Sequence, residues 1–187
     1  MSSSPADSPP PSPDALAVMR GIGRLFARND IWCLPEMPLR PRPGGAHRRA
    51  DLMGIDSAGH LIIVEIKVSR ADLLGDLKSK DKRDSYLDAG GQCWYVLGCD
   101  RKGSPIAQAD EIPLECGVMV LQNERLEVLR NAPKRAVADL PFALWMVLAK
   151  ATPLRAHADL GSADGPDQAM LLEHAPEAPT APTDPAR

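Results

Sequence analysis

No stretch of this sequence approaches the roughly 18 consecutive apolar residues that a membrane-spanning helix needs, so no spanning helix is expected. The four cysteines, Cys33, Cys93, Cys99 and Cys116, include no C-x-x-C pair, which argues against a zinc site or a disulfide framework. Buried, reduced thiols in a cytoplasmic protein are the expectation. There is no G-x-S-x-G elbow and no glycine-rich phosphate loop ahead of a helix, so the sequence fits neither an α/β-hydrolase nor a P-loop protein. His47 and His60 have no partner at metal-ligand spacing. The N-terminal residues lack the basic start and apolar stretch of a signal peptide, and they are not an Arg-rich transit peptide. No internal repeat occurs.

Proline, by contrast, is abundant: the 19 prolines crowd both ends. Residues 2–13 read SSSPADSPPPSP, and nothing in that run has an apolar surface to bury. Residues 1–13 are therefore expected to be a disordered leader. Residues 156–187, rich in Ala, Pro and acids, are expected to be a disordered tail. Between them, residues 14–155 are expected to fold as one domain. The whole chain has 22 basic and 25 acidic residues. The tail holds six of the acids and one Arg, and the leader holds Asp7, so the domain has 21 basic against 18 acidic residues. A net charge near +3 permits a nucleic-acid partner without requiring one. The run RPRPGGAHRR at 40–49 concentrates four arginines without an acid, either as a solvated loop or as a phosphate-facing one.

Residues 14–29 place Leu16, Met19, Ile22 and Phe26 at helical spacing, with Asp14 as the expected N-cap. IWCLPEMPL is apolar and extended, but Pro35 and Pro38 confine it to an edge or a bulged strand. ADLMGID and HLIIVEIKV, joined by a turn at Ser57–Gly59, read as a β-hairpin. Ser69 caps a polar helix expected to run to Ala89. CWYVLG reads as a buried strand, with Trp94 and Tyr95 as core residues rather than a base-stacking platform. CGVMVLQ and RLEVLR form a second hairpin about Asn123–Glu124, and residues 138–150 form a closing helix. The expected order is αβββαβββα.

The chemistry lies in HLIIVEIKV. Alternation along a strand puts Ile62, Val64 and Ile66 on one face and Ile63, Glu65 and Lys67 on the other. A carboxylate and an ammonium thus sit side by side in an otherwise apolar strand, where an unpaired charge costs several kcal/mol. Such an E-x-K pair alone is ordinarily structural. Asp51 alters that reading, because it starts the partner strand and the hairpin returns its carboxylate towards Glu65. Two carboxylates approaching in an interior repel unless a cation lies between them. Hard oxygen ligands of this kind suit Mg²⁺, with Mn²⁺ as a substitute. Lys67 is then placed to act on a water or on the scissile phosphate.

D-x13-E-x-K across a hairpin, after one helix and before another, resembles the PD-(D/E)XK nuclease superfamily. RRADLMGID…GHLIIVEIKVSRADLLGD more narrowly resembles the MmcB-like DNA repair family, densely over residues 48–76. The resemblance implies an α/β, restriction-endonuclease-like fold in which a mixed central sheet is flanked by helices. It also implies a divalent metal, a DNA substrate and an association with other repair proteins. Asp51 and Glu65 would be metal ligands and Lys67 the catalytic lysine. Glu36, in a P-E-x-P-L context, would be an additional metal or water contact, while Arg48, Arg49 and Lys78 would touch DNA.

One departure stands out. Where such proteins continue with an aromatic D-x-K-W-x-D-Y stretch, this chain reads DLKSKDKRDSY, with Ser79 and Lys82 in place of the aromatics. Lys78, Lys80, Lys82 and Arg83 alternate with Asp76, Asp81 and Asp84, which reads as a solvated mixed-charge helix ahead of the alternative, a DNA-contacting face. Three functions follow: a Mg²⁺-dependent deoxyribonuclease in repair, a DNA-binding repair scaffold that keeps the fold without cutting, or a restriction-type or RNA-directed nuclease. The complete Asp51–Glu65–Lys67 set favours the enzyme, since a binder has no need of a lysine beside two carboxylates.

Overall fold

A computed structural model describes residues 13–39, 48–89, 91–133, 135–136 and 142–153. The expected leader, most of the arginine-rich loop, the start of the closing helix at 138 and the acidic tail lie outside these residues.

Pro13 opens helix α1 (Pro13–Arg28), where its missing N–H leaves no helical bond unmade. Asp14 therefore stands in the first turn rather than at the cap, where its charge still complements the helix dipole. The buried stripe of α1 is Val18, Ile22, Leu25 and Phe26. Leu16 and Met19, expected on that stripe, are only half-buried. The helix is rotated so that Leu25 and Phe26 reach the sheet together, and Phe26 packs where a Cβ at Gly54 would lie 2.6 Å from its ring.

The strands are β1 (Trp32–Leu39), β2 (Arg48–Ile55), β3 (Leu61–Lys67), β4 (Gln92–Leu97), β5 (Cys116–Gln122) and β6 (Arg125–Arg130). They form one mixed six-stranded sheet in sequential order, as expected for the restriction-endonuclease-like class. β1, β2 and β3 pair antiparallel, β3, β4 and β5 pair parallel, and β5 pairs antiparallel with β6. In the β2–β3 turn the Asp56 carboxylate accepts the N–H groups of Ala58 and His60, and Gly59 supplies the positive φ of 89°. Asn123 and Glu124 both take positive φ between β5 and β6, the backbone of a tight two-residue hairpin.

β1 contains an irregularity at Glu36, whose φ of 55° lies in the left-handed region. Leu34 precedes it and Met37 and Leu39 follow it, yet all three face the same core layer. The twist at Glu36 thus resets the strand's alternation without a shift in its register with β2, and β1 lies at the edge of the sheet, one of the two places its prolines allow.

Two helices, α2 (Arg70–Leu77) and α3 (Lys80–Asp88), replace the single helix expected from Ser69 to Ala89. The order is consequently αβββααβββα, with a 3₁₀ turn at Ala109–Glu111 before β5 and α4 (Phe142–Lys150) last. Ser69 caps α2 as expected, accepting the Asp72 N–H. The chain breaks at Lys78–Ser79, and Arg83 donates to the Leu77 carbonyl across the break. α3 can then present Arg83 and Tyr86 to the interior, both buried.

The sheet is covered on both sides. One layer joins α1 to Ile62, Val64, Ile66, Trp94 and Met119. The other holds Leu34, Met53, Ile63, Leu73, Tyr86 and Tyr95. β3 lies between them and is buried at every position, the charged Glu65 and Lys67 included. Cys33, Cys93 and Cys116 are buried free thiols, and Cys99 is a half-buried one. No helix among the described residues is long and apolar enough to cross a membrane.

Candidate active site

The site forms where β2 and β3 part. Their last paired residues are Leu52 and Val64, so the next step along each strand sets Asp51 beside Glu65. There the Asp51 side chain takes over from the backbone ladder: its Oδ2 accepts the Ile66 N–H at 2.7 Å. Burial pushes the Asp51 carboxyl up to about 6, and the charge of Glu65 adds to this. The Ile66 N–H and the charges of Lys67 and Lys82 oppose the rise.

Glu65 is 1% exposed, yet three donors meet its carboxylate. Oε1 accepts from the Tyr86 hydroxyl at 2.7 Å. Oε2 accepts from Lys67 Nζ at 3.0 Å and from Lys82 Nζ at 2.6 Å. The Tyr86 oxygen also lies 3.0 Å from the Arg49 carbonyl, but its single proton goes to the shorter, charged acceptor.

A third acid completes the network. Asp76, on α2, accepts from Lys82 Nζ at 2.7 Å through Oδ1 and from the Tyr95 hydroxyl at 2.6 Å through Oδ2. Lys67 Nζ lies 3.3 Å from Asp76 Oδ1 and 3.8 Å from Asp72. Burial alone would lower Lys67, but Glu65, Asp76, Asp51 and Asp72 outweigh it and hold the ammonium above its ordinary range. Burial likewise works against the charge on Lys82, and Glu65 and Asp76 reverse that effect. Burial would raise Asp76, but the bonds from Lys82 and Tyr95 hold it below the ordinary carboxylate range.

The structure thus brings Asp51, Glu65 and Lys67 together. Glu36 is instead paired with Arg49, its Oε2 2.7 Å from Arg49 Nε, with both side chains nearly half exposed. Arg48 begins β2, but its side chain lies outside the described residues. Lys78 is exposed at the C-terminal end of α2 and takes no part in the contacts above.

Sequence reasoning missed Asp76, Lys82, Tyr86 and Tyr95. The expectation of a solvated mixed-charge helix is corrected by the burial of Arg83 and the inward reach of Lys82 and Asp76. A signal existed: Asp72 and Asp76, then Lys82 and Tyr86, recur at four-residue spacing on one helical face each. Tyr95 sits on the site side of its strand, with its hydroxyl on Asp76, while Trp94 belongs to the α1 layer.

The donor chemistry fits a hard divalent ion only in part. Asp51 and Glu65 are adjacent carboxylates, of which Mg²⁺ takes one or two alongside water. Among the described residues no three His, Cys, Asp or Glu side chains gather as a ready metal site. Glu65 is already engaged by two ammoniums, so an ion there would stand against both of their charges.

A mixed sheet flanked by helices, with a buried E-x-K on the central β3 and an Asp on its antiparallel neighbour, defines a protein of the restriction-endonuclease-like class. The sequence matches the family described as DNA repair protein MmcB-like over residues 3–158, and the chain belongs to that family, whose general assignment is to the PD-(D/E)XK superfamily. A solved structure of a protein of unknown function from Silicibacter pomeroyi is similar in fold, with a TM-score of 0.54 and 24% identity. That likeness covers 74% of this chain and 84% of the other. No curated protein matches the sequence.

Proposed function

We propose that this protein is a Mg²⁺-dependent deoxyribonuclease that hydrolyses DNA phosphodiester bonds during repair in the cytoplasm, with Mn²⁺ able to substitute. The observation that carries the reading is the burial of Glu65 and Lys67 side by side, next to an Asp51 whose carboxyl is pushed up to about 6. Replacing a buried ion pair with apolar residues is often neutral or stabilising, so stability alone is a weak reason to keep one.

In this reading Asp51 and Glu65 hold the ion, which when bound supplies positive charge for a phosphate oxygen and acidity for an attacking water. Lys67 is held charged by the surrounding acids and directs its ammonium at water or phosphate. Tyr86 and the Ile66 N–H fix the two carboxylates so that neither has to reorganise during the reaction. Glu36 and Arg49 lie on the flank of β1 and β2, where Arg49 can exchange its partner for a backbone phosphate. Arg48, next to Arg49 in β2, and the exposed Lys78 are in this reading further phosphate contacts, and other repair proteins are its partners.

The rival reading, a DNA-binding repair scaffold, has one observation in its favour: Lys67 and Lys82 already neutralise Glu65 without any ion. A cleavage assay on single-stranded, duplex, mismatched and branched DNA with Mg²⁺ or Mn²⁺ separates the two. The nuclease cuts at least one substrate, and Lys67→Ala abolishes cutting while metal binding persists. Asp51→Asn weakens metal binding and cutting together. Absence of cleavage on every substrate, with Lys67→Ala altering only stability, leaves the scaffold.

A further inference from the structure

Lys82 is the residue of this site that the family pattern does not anticipate, and it makes the shorter contacts of the two lysines there. The break at Lys78–Ser79 turns α3 so that Lys82 Nζ sits 2.6 Å from Glu65 Oε2 and 2.7 Å from Asp76 Oδ1. Lys67 contacts the same two oxygens at 3.0 and 3.3 Å. The two lysines differ in freedom. Lys67 projects from the central strand with a side chain only 6% exposed. Lys82 hangs from a short helix, is 19% exposed, and leans over the Tyr86 ring at 5.8 Å from its centre. Four rotatable methylenes allow its ammonium to leave without moving the backbone.

A cation bound to Glu65 would stand against both ammoniums, and repulsion is relieved most easily by the mobile one. We propose that Lys82 is a built-in cation that occupies Glu65 and Asp76 in the free protein and holds divalent metal off, and that an incoming DNA phosphate draws it away. This rests on the reading of Asp51 and Glu65 as ion ligands. Its consequence is coupling: DNA and metal each raise the other's affinity, with Lys82 carrying part of the coupling. Lys82 is then a positioning residue rather than a catalytic one.

The test measures Mn²⁺ binding to the full-length chain from the electron paramagnetic resonance signal of free ion, without and with a phosphorothioate oligonucleotide. Lys82→Gln and Lys82→Met are compared with wild type and with Lys80→Gln, whose parent residue is exposed and paired to Asp84. Far-ultraviolet circular dichroism checks that each variant is folded, and two replacements keep the test usable if one is not. The expected result is about tenfold tighter Mn²⁺ binding by the Lys82 variants without DNA. Phosphate ligation alone strengthens binding in every protein, so wild type should gain about tenfold more from DNA than the Lys82 variants do. Lys80→Gln should behave as wild type. Equal Mn²⁺ affinity in wild type and the Lys82 variants overturns the proposal while leaving the ion-binding reading intact. No Mn²⁺ binding by any of the proteins, or binding indifferent to Asp51→Asn, overturns both.

Discussion

The two faces of β3 are held by opposite physics. Towards α1, Ile62, Val64 and Ile66 lie among Phe26, Trp94 and Met119, where the attraction is non-directional and grows with apolar area. Towards α2 and α3 the same strand presents Ile63, then Glu65 and Lys67, and each charge needs a specific partner at a specific distance. The apolar face supplies stability and tolerates swaps that conserve volume. The polar face adds little net stability and depends on every member being present. The comparison shows how a site can be kept rigid: a strand anchored from one side positions charges on the other that could not hold themselves there.

The largest expected difference between the faces is in rate. Lys67→Ala should lower the initial rate of DNA cleavage about 10³-fold, the scale of losing a positioned acid–base or charge-stabilising group. Phe26→Ala, assayed below its melting temperature, should keep most of the rate. A Lys67→Ala protein that cuts like wild type breaks the division between the faces.

In stability the faces should look alike for different reasons. Urea unfolding should show Phe26→Ala losing about 3–5 kcal/mol through an unfilled cavity. Glu65→Ala should lose about 3–5 kcal/mol because it strips Lys67 and Lys82 of their shared partner. The double change Glu65→Leu with Lys67→Met should recover most of that loss, whereas no second apolar truncation rescues Phe26→Ala. Failure of the double variant to recover would mean that the polar face holds the fold after all.

The pH dependence sharpens the comparison further. Burial pushes the Asp51 carboxyl from its ordinary 3.8 up to about 6 in the folded protein, so the native state holds the proton more tightly than the unfolded chain. That contribution is favourable at low pH and is lost as pH rises from about 4 through 6, by about 3 kcal/mol at most. Asp51→Asn keeps an oxygen for the Ile66 N–H and removes the titration. It should therefore gain on wild type between pH 4.5 and 7 in metal-free urea melts, and a constant difference across that range would refute the assigned cause. The smallest effect belongs to the exposed flank, where Arg49→Ala should change stability by less than about 1 kcal/mol despite its short contact to Glu36.

Much of this contrast is legible in the residues themselves. The period-two alternation of HLIIVEIKV assigns every side chain of β3 to its face, and hairpin geometry brings Asp51 back beside Glu65. Asn123–Glu124 marks its turn, and Ser69 its cap. The break at Lys78–Ser79 is not legible, because DLKSKDKRDSY has no proline or glycine and reads as a continuous polar helix. The face of α1 is legible only in part: Ile22 and Phe26 are buried as expected, but Leu16 and Met19 fit the helical period as well as Val18 and Leu25 do.

The sequence by itself determined the sheet's central hairpin, the membership of Asp51, Glu65 and Lys67 in one site, and the family. The hairpin and the site depend on local periodicity and on residues joined by a single short turn, and the family on the resemblance carried by residues 48–76. Only the tertiary structure decided that Asp76, Lys82, Tyr86 and Tyr95 close over that site, and that Glu36 turns to Arg49 instead. These side chains come from separate elements, α2, α3, β4 and the β1 edge, whose approach is set by packing on both sides of the sheet. The pairing of buried charges depends on that approach to within an ångström, and no local pattern in the chain carries that information.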